Sequence, residues 1–369
     1  MAVALVHCDA KQRAADRLPS NAGRSTLVHA LIEACGLLCH VDVVRPKPAD
    51  AQTLAAFHSA ELVRALLTAE NRGDGSEADS DLEEELSELG LIDDCYVFPG
   101  LADYVTWTAG ASITAARLLV VGSHRIAINW DGGRHHARRD EAAGFCHVND
   151  VVLAILHLHT RFSRVLYLDL DVHHGDGKWA CLQHQIDPGF FPGTGTKVDA
   201  GIGRGAHHAL NVPLRAGARG SAFVPLFTAI TQQAVDAYSP DAIVMQCGCD
   251  GLSGDPLGGG WNLDTVAIAE CVKAVTDVGR PTLLLGGGGY AAPLAARCWT
   301  LCTAVAAGVD ALVQDDIPEH EHLGLYAPDF GLRTQPGNMR DLNDADFVGN
   351  LTARVLASLD HVRRARLAR

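Results

Sequence analysis

The chain has 369 residues, 48% of them hydrophobic and 20% charged, with a formal net charge of −14. That balance describes a globular protein with a sizeable core, and the negative excess argues against a general grip on nucleic acid, which needs basic surface. No apolar run reads as long or uninterrupted enough to cross a bilayer, and the N-terminus lacks the pattern of a cleavable signal, so a membrane or secreted setting is not expected.

In chain order, β-like runs are predicted at Val3–His7, Val41–Arg45, Arg125–Trp130, Arg164–Leu170, His208–Leu214, Ala242–Gln246 and Thr282–Leu285. Helix-like stretches separate most of them, the alternation of a doubly wound, mainly parallel α/β sheet with helices on both faces. One domain over residues 1–369 is the simplest organisation, and in such sheets ligands gather beyond the carboxyl ends of the strands. The acidic segment Gly73–Asp94 reads as a solvated helix with a flexible entry loop, Asp94 excepted. The terminal "HVRRARLAR" reads as a basic helix end that complements the dipole. The eleven cysteines, Cys247, Cys249, Cys298 and Cys302 among them, are scattered through apolar segments and read as reduced core thiols.

The stretch Tyr167–Gly177, "YLDLDVHHGDG", carries the strongest chemical signal. Residues two apart in extended chain share a face, so Asp169, Asp171 and His173 can project toward one point, as ligands of a divalent metal must. Asp250 closes "IVMQCGCD" at another strand end. Alone it reads as a helix cap; beside Asp171 and His173 it supplies a third ligand, and three ligands with an open position make a catalytic metal site. After a further strand comes "DGGRHHARRDEAAGFCHVND", in which His135 and His136 can each give one ring nitrogen to a carboxylate and keep the other for a proton. Finally "LLLGGGGY" ends a strand in four glycines and Tyr290, without the spacing or lysine of a phosphate loop. A backbone so slender, ending in a phenol, suits a narrow tunnel with an oxyanion donor.

Taken together, "GGRHHARRDEAAGFC", "DLDVHHGDG", "FFPGTG", "CGCD" with "GDPLGGG", and "GGGGYAAPLAARCW" resemble, in order, the motifs of the class I histone deacetylases. Weaker similarity extends from "GRSTLVHALIEA" through "FHSAELV", so the resemblance covers most of the chain. It implies the arginase/deacetylase fold and hydrolysis of N6-acetyl-lysine in histones or other proteins, with a role in chromatin and transcription and a nuclear or cytoplasmic setting. Asp171, His173 and Asp250 are the implied ligands of Zn2+, a donor set that also accepts Fe2+ or Co2+. His135 and His136 are the implied acid/base pair at a metal-activated water, backed by Asp169 and Asp176 respectively, with His136 the general base and Tyr290 the donor to the acyl oxygen.

The resemblance further implies that Gly144, Phe145 and Phe191 wall an acetyl-lysine tunnel, that Gly288 keeps its base narrow, and that Asp94 and Leu257 stand at its rim. Arg24 matches an arginine beneath the site near an acetate channel, and Arg134 stands where an aromatic or apolar residue is more usual. Pro256 and Pro293 replace arginines that hold an inositol phosphate in corepressor-dependent members, which points to the stand-alone branch. Between Gly177 and Asp187 only "KWACLQHQI" remains, where about twice that length, enough for one more strand, is implied. A gap or altered sheet edge is therefore expected there, with one potassium ion held by carbonyls of Asp169, Asp171, His173 and Leu182. Two other readings share much of this pattern: an amidohydrolase of acetylpolyamines or small acyl amides, and a non-catalytic module that binds acetyl-lysine.

Overall fold

The computed structural model describes residues 2–71, 79–176, 181–186, 190–196, 200–201, 205–258 and 260–367. Eight strands form one sheet: β1 Val3–Val6, β2 Asp42–Val44, β3 Ile126–Asn129, β4 Val165–Asp169, β5 Cys181–Ile186, β6 Ala209–Leu214, β7 Ala242–Gln246 and β8 Thr282–Leu285. They lie in the order β2-β1-β3-β8-β7-β4-β5-β6, and every neighbouring pair is parallel. Seven of the eight correspond to the predicted runs.

The eighth, β5, overturns the expected gap. Cys181–Ile186 fills the place between β4 and β6, with Leu168 opposite Leu182 and Leu182 opposite Leu210. Six residues already make a strand of ordinary length, so the shortened segment still suffices to complete the sheet.

Burial on both faces explains why the central strands carry few polar residues; the edge strand β2 is largely exposed, and β5 mixes polar with apolar residues. On one face Leu5, Ile128, Leu168, Met245 and Leu284 join a core shared with the helices Arg24–Ala34, Gly220–Tyr238, Thr265–Thr276 and Ala292–Ala307. On the other, the alternate residues Ala4, Ala127, Tyr167, Val244 and Leu283 pack on the helices Leu101–Val121 and Asp150–Leu158. The helix Leu101–Val121 corrects one expectation: by length and composition it is apolar enough to cross a membrane, and 61% of its most apolar window is buried inside the fold. Its alanines and Gly110 allow that close approach; a Cβ on Gly110 would fall 2.1 Å from the Lys47 carbonyl oxygen. The acidic segment forms the helix Asp79–Glu88, while the entry loop predicted before it lies outside the described residues. The basic terminus ends the helix Ala345–Leu367. The described cysteines are free, and most are buried, although Cys39 is exposed.

One charged pair sits in the interior. Lys11 Nζ lies 2.6 Å from Asp131 Oδ2 and donates to the Val6 carbonyl at 2.9 Å, with both side chains almost fully buried. It ties the first helix, Asp9–Ala15, to the loop that leaves β3.

Several interior histidines are held neutral. Burial lowers His58 and His147 to about 4, and burial followed by the charges of His29 and Lys11 lowers His7 to about 3. His58 uses both ring nitrogens, with Nδ1 at 3.3 Å from the Arg139 carbonyl and Nε2 accepting from Asn149 N at 3.0 Å. An unfolded chain takes up protons at these rings as pH falls below 6.5, whereas the folded protein refuses them until about 4. Stability is therefore full above that window and falls progressively as pH drops through it. Urea midpoints on either side of the window should differ in that sense, and identical midpoints would contradict it.

Candidate active site

β3, β8, β7 and β4 are neighbours in the sheet, and the loops leaving their carboxyl ends bring the sequence motifs together. β4 ends at Asp169, and the chain continues through Asp171 and His173. Their ligand atoms, with one carboxylate oxygen of Asp250 from the loop after β7, lie within 4.8 Å of one another, and all three residues are buried. His173 Nδ1 is 3.1 Å from Asp171 Oδ1 and 2.8 Å from Asp250 Oδ2. Neutral donors hold the carboxylates in place: Gln246 Nε2 and Gly288 N each donate to Asp171 Oδ2 at 2.8 Å, and Val172 N to Asp250 Oδ1 at 3.1 Å.

This donor set fits a divalent cation. Burial and then the charge of Asp171 push the Asp250 carboxyl well above the ordinary range. Burial works the same way on Asp171, but the neighbouring imidazoles outweigh it and hold that carboxyl low. Against its own burial, the two carboxylates raise His173 to about 10. Two buried carboxylates around one imidazole thus call for positive charge between them, and two oxygens with one nitrogen are the donors of a hydrolytic metal centre.

His135 and His136 sit on the loop after β3. That loop is tightened by Asp150, whose carboxylate accepts from Gly133 N at 3.0 Å and from Arg134 N at 2.7 Å. Asp169 accepts at 2.9 Å from Tyr167 and lies 2.9 Å from His135 Nδ1; Asp176 lies 3.2 Å from His136 Nδ1. Each imidazole therefore turns its Nδ1–H to a carboxylate; His136 keeps Nε2 available, while His135 Nε2 lies 3.8 Å from Asp171 Oδ2. Burial, then the neighbouring His135, lowers His136 to about 4, so its ring is a neutral proton acceptor at neutral pH. Despite partial burial, hydrogen bonds from His136 and Arg138 hold Asp176 well below the usual carboxylate range, Arg138 donating to it at 2.5 Å and 3.2 Å.

A pocket of about 270 Å³ opens onto these groups. His136, His173 and Tyr290 line it together with Phe145, Phe190 and Phe191, while Gly144, Asp94 and Leu257 complete its boundary. Asp94 Oδ2 accepts from Gly144 N at 3.2 Å, which joins the rim to the wall. A Cβ on Gly144 would lie 2.5 Å from the His136 ring and 2.9 Å from Phe191. Removal from water, then the charges of Asp171 and Asp250, raise the Tyr290 phenol well above its ordinary range, so it remains a hydroxyl donor.

Gly288, Arg24 and Arg134, like His135 and the carboxylates behind it, stand outside the pocket lining. Gly288 faces the ligand carboxylates, where a Cβ would fall 2.3 Å from Asp250 Oδ2 and 2.7 Å from Asp171 Oδ2. Arg24 donates to the carbonyls of Gly287 at 3.0 Å and Gly289 at 2.8 Å, stacked over Trp299. Arg134 is buried and donates to Asn21 Oδ1 at 3.3 Å, while Asn21 donates to the Gly289 carbonyl at 3.2 Å.

Residues 18–306 match the histone deacetylase domain. The chain belongs to the histone deacetylase family. It is similar to histone deacetylase 8 of Xenopus tropicalis, 40% identical over 92% of this chain and 92% of that protein, and of Danio rerio, 38% identical over 94% and 92%. Histone deacetylase 19 of Arabidopsis thaliana is 40% identical over 94% of this chain and 70% of its own length. The likeness to histone deacetylase 8 fits the stand-alone branch, and the activity class is hydrolytic lysine deacetylation on a metal-dependent scaffold.

Sequence reasoning assigned no role to several residues that build this deacetylase's site. Gln246, a polar residue closing an apolar strand, was a visible signal. Phe190, beside the predicted Phe191, stacks on the His173 ring with centroids 4.9 Å apart. Asp255, which stands in the quoted "GDPLGGG" motif, was given no role: one of its oxygens accepts from Tyr290 N at 2.6 Å and Ala291 N at 3.2 Å, the other from Leu257 N and Gly258 N at 3.0 Å each. It clamps the rim loop to the backbone that carries the phenol.

Gly288→Ala should fold but lose bound metal, because the new methyl displaces two ligand carboxylates; full metal content by elemental analysis would refute the packing argument. Asp255→Asn replaces an acceptor with an N–H group facing backbone N–H groups. It should lower turnover by about ten- to hundredfold through misplacement of Tyr290, with metal content unchanged.

Proposed function

We propose that the protein hydrolyses the acetamide of N6-acetyl-lysine in histones or other proteins, releasing lysine and acetate, with Zn2+ held by Asp171, His173 and Asp250. The observation that carries this reading is the joint placement of the buried Asp/His/Asp trio, two carboxylate-backed histidines and a phenol around one aromatic-walled pocket. Fe2+ or Co2+ suits the same donors. Bound there, the ion supplies the Lewis acidity that activates water and polarises the acyl carbonyl.

The chain's own groups divide the remaining work. Phe145 and Phe191 grip the aliphatic stem of acetyl-lysine, whose charge acetylation has removed, and Asp94 accepts from the substrate's backbone amides. His136 Nε2 takes a proton from the attacking water, and Asp176, pinned by Arg138, keeps Nδ1 protonated. Tyr290 O–H donates to the acyl oxygen as negative charge gathers on it. When the tetrahedral intermediate collapses, the C–N bond breaks and an imidazolium returns a proton to the lysine nitrogen; His135, held by Asp169, keeps the local charge matched. Arg24 and Arg134 lie along the route by which acetate leaves. A potassium ion held by the carbonyls of Asp169, Asp171, His173 and, from β5, Leu182 belongs to the same proposal, favoured by the pairing of Leu182 beside Leu168. With Pro256 and Pro293 in place of arginines, no inositol-phosphate corepressor complex is required.

Tyr290→Phe should reduce turnover of an acetylated peptide by roughly a hundredfold or more, the usual cost of one oxyanion donor, with little change in fold. A chelator should abolish turnover, and added Zn2+ should restore it. Full activity in either case would sink the corresponding role.

A further inference from the structure

Asn21 closes the short turn Pro19–Asn21, ahead of the helix Arg24–Ala34, and is buried. Its amide meets two opposite demands. Oδ1 accepts from Arg134 Nη1 at 3.3 Å and from Ser20 Oγ at 3.5 Å, while Nδ2 donates to the Gly289 carbonyl at 3.2 Å. A guanidinium only donates and a carbonyl only accepts, so these neighbours settle which way the amide faces. A carboxylate at this position would be the stronger acceptor for Arg134, but it would have no hydrogen to give Gly289.

The Gly289 carbonyl and the Tyr290 N–H belong to one planar peptide unit, in which the two groups point in opposite directions. Asp255 Oδ2 accepts from the N–H at 2.6 Å, and the oxygen accepts from Arg24 Nη1 at 2.8 Å as well as from Asn21. Arg24 Nη1 is divided, because it also donates to the Gly287 carbonyl at 3.0 Å. Gly289 itself, at φ +129°, has no side chain to restrict rotation of this peptide, and a Cβ there would fall 2.4 Å from Cys249 Sγ. Asn21 therefore supplies the bond to the Gly289 oxygen that is not shared with another carbonyl. Together with Asp255 and Arg24 it fixes the plane from which the Tyr290 side chain departs.

We infer that Asn21 is a positioning residue for the Tyr290 hydroxyl, and that it refers the phenol to the loop of the tandem histidines. The path runs from Tyr290 through the Gly289 carbonyl, Asn21 and the Arg134 side chain to His135, the next residue in the chain. In the hydrolysis proposed above, on which this inference rests, His136 and Tyr290 act on one acyl group from separate loops. Their mutual placement must then be held closely, and the amide of Asn21 is the bridge between the two loops.

The test measures kcat/KM for an acetylated peptide in the zinc-loaded protein, a ratio that acetate release does not enter, and amide hydrogen exchange at Tyr290 in the metal-free protein. Asn21→Ala should lower kcat/KM by about three- to tenfold, the range for one buried neutral hydrogen bond, and speed exchange at Tyr290 by a similar factor. In a Tyr290→Phe background it should cause no further loss, because the group it positions is gone. Asn21→Asp keeps the acceptor for Arg134 and removes the donor to Gly289, so it should match Asn21→Ala, and it serves alone if the alanine variant fails to fold. Unchanged kcat/KM in Asn21→Asp, an equal loss in both backgrounds, a loss confined to kcat, or unchanged exchange at Tyr290 would each overturn the role. No turnover by the unaltered zinc-loaded protein would instead overturn the acetyl-lysine reading itself, and the positioning role with it.

Discussion

Two carboxylates, Asp171 and Asp250, are buried against a single imidazole, and the rest of the molecule is arranged to make that tolerable. Alone, each would shed its charge to escape a low-dielectric interior; together they repel. The protein answers with oriented neutral donors, Gln246 Nε2, Gly288 N and Val172 N, which stabilise charge without supplying any. What they leave uncompensated is a place for a cation. The glycines that approach the carboxylates follow from the same constraint, since Gly248 and Gly288 stand where any Cβ would collide with a ligand oxygen.

The sheet makes this concentration of polar groups possible. Four adjacent strand ends deliver four loops to one point, and the apolar strand bodies beneath them are covered on both faces, so the polar groups collect at the rim where the chain leaves the core. Asp150 and Asp255 then do for the loops what the sheet does for the strands. Each carboxylate collects backbone N–H groups from separate stretches, Asp150 fixing the turn that aims the tandem histidines and Asp255 binding Tyr290 to the rim. The tandem histidines, Tyr290 and the pocket rim are thereby coupled through carboxylates that stand outside the pocket lining.

The histidines illustrate how environment divides one residue type into different roles. His173, between two carboxylates, is pushed up, whereas His136 is buried beside another imidazole and pushed down. His147 is buried with one nitrogen spent on a carbonyl and the other enclosed without a hydrogen-bond partner.

The sequence alone determined much of this. Seven of eight strands were legible as short, mostly apolar runs, six of them because they are buried on both faces and the exposed edge strand β2 from its pair of valines, and the buried Asp/His/Asp trio and tandem histidines because strand ends place such residues in dense, ordered motifs. The eighth strand was not legible: "CLQHQI" mixes polar with apolar residues and sits in a segment shorter than the resemblance implied, and only its pairing between β4 and β6 makes it a strand. The membrane-length helix Leu101–Val121 was missed in the opposite sense, since its small residues look unremarkable until they pack. Tertiary structure alone decided the roles of Asp150 and Asp255, the burial of Arg134 against Asn21, and the enclosed, unpartnered nitrogen of His147. Each of these depends on backbone or side-chain groups brought from distant parts of the chain. A motif records which donors and acceptors are available, but only the folded chain settles which of them meet.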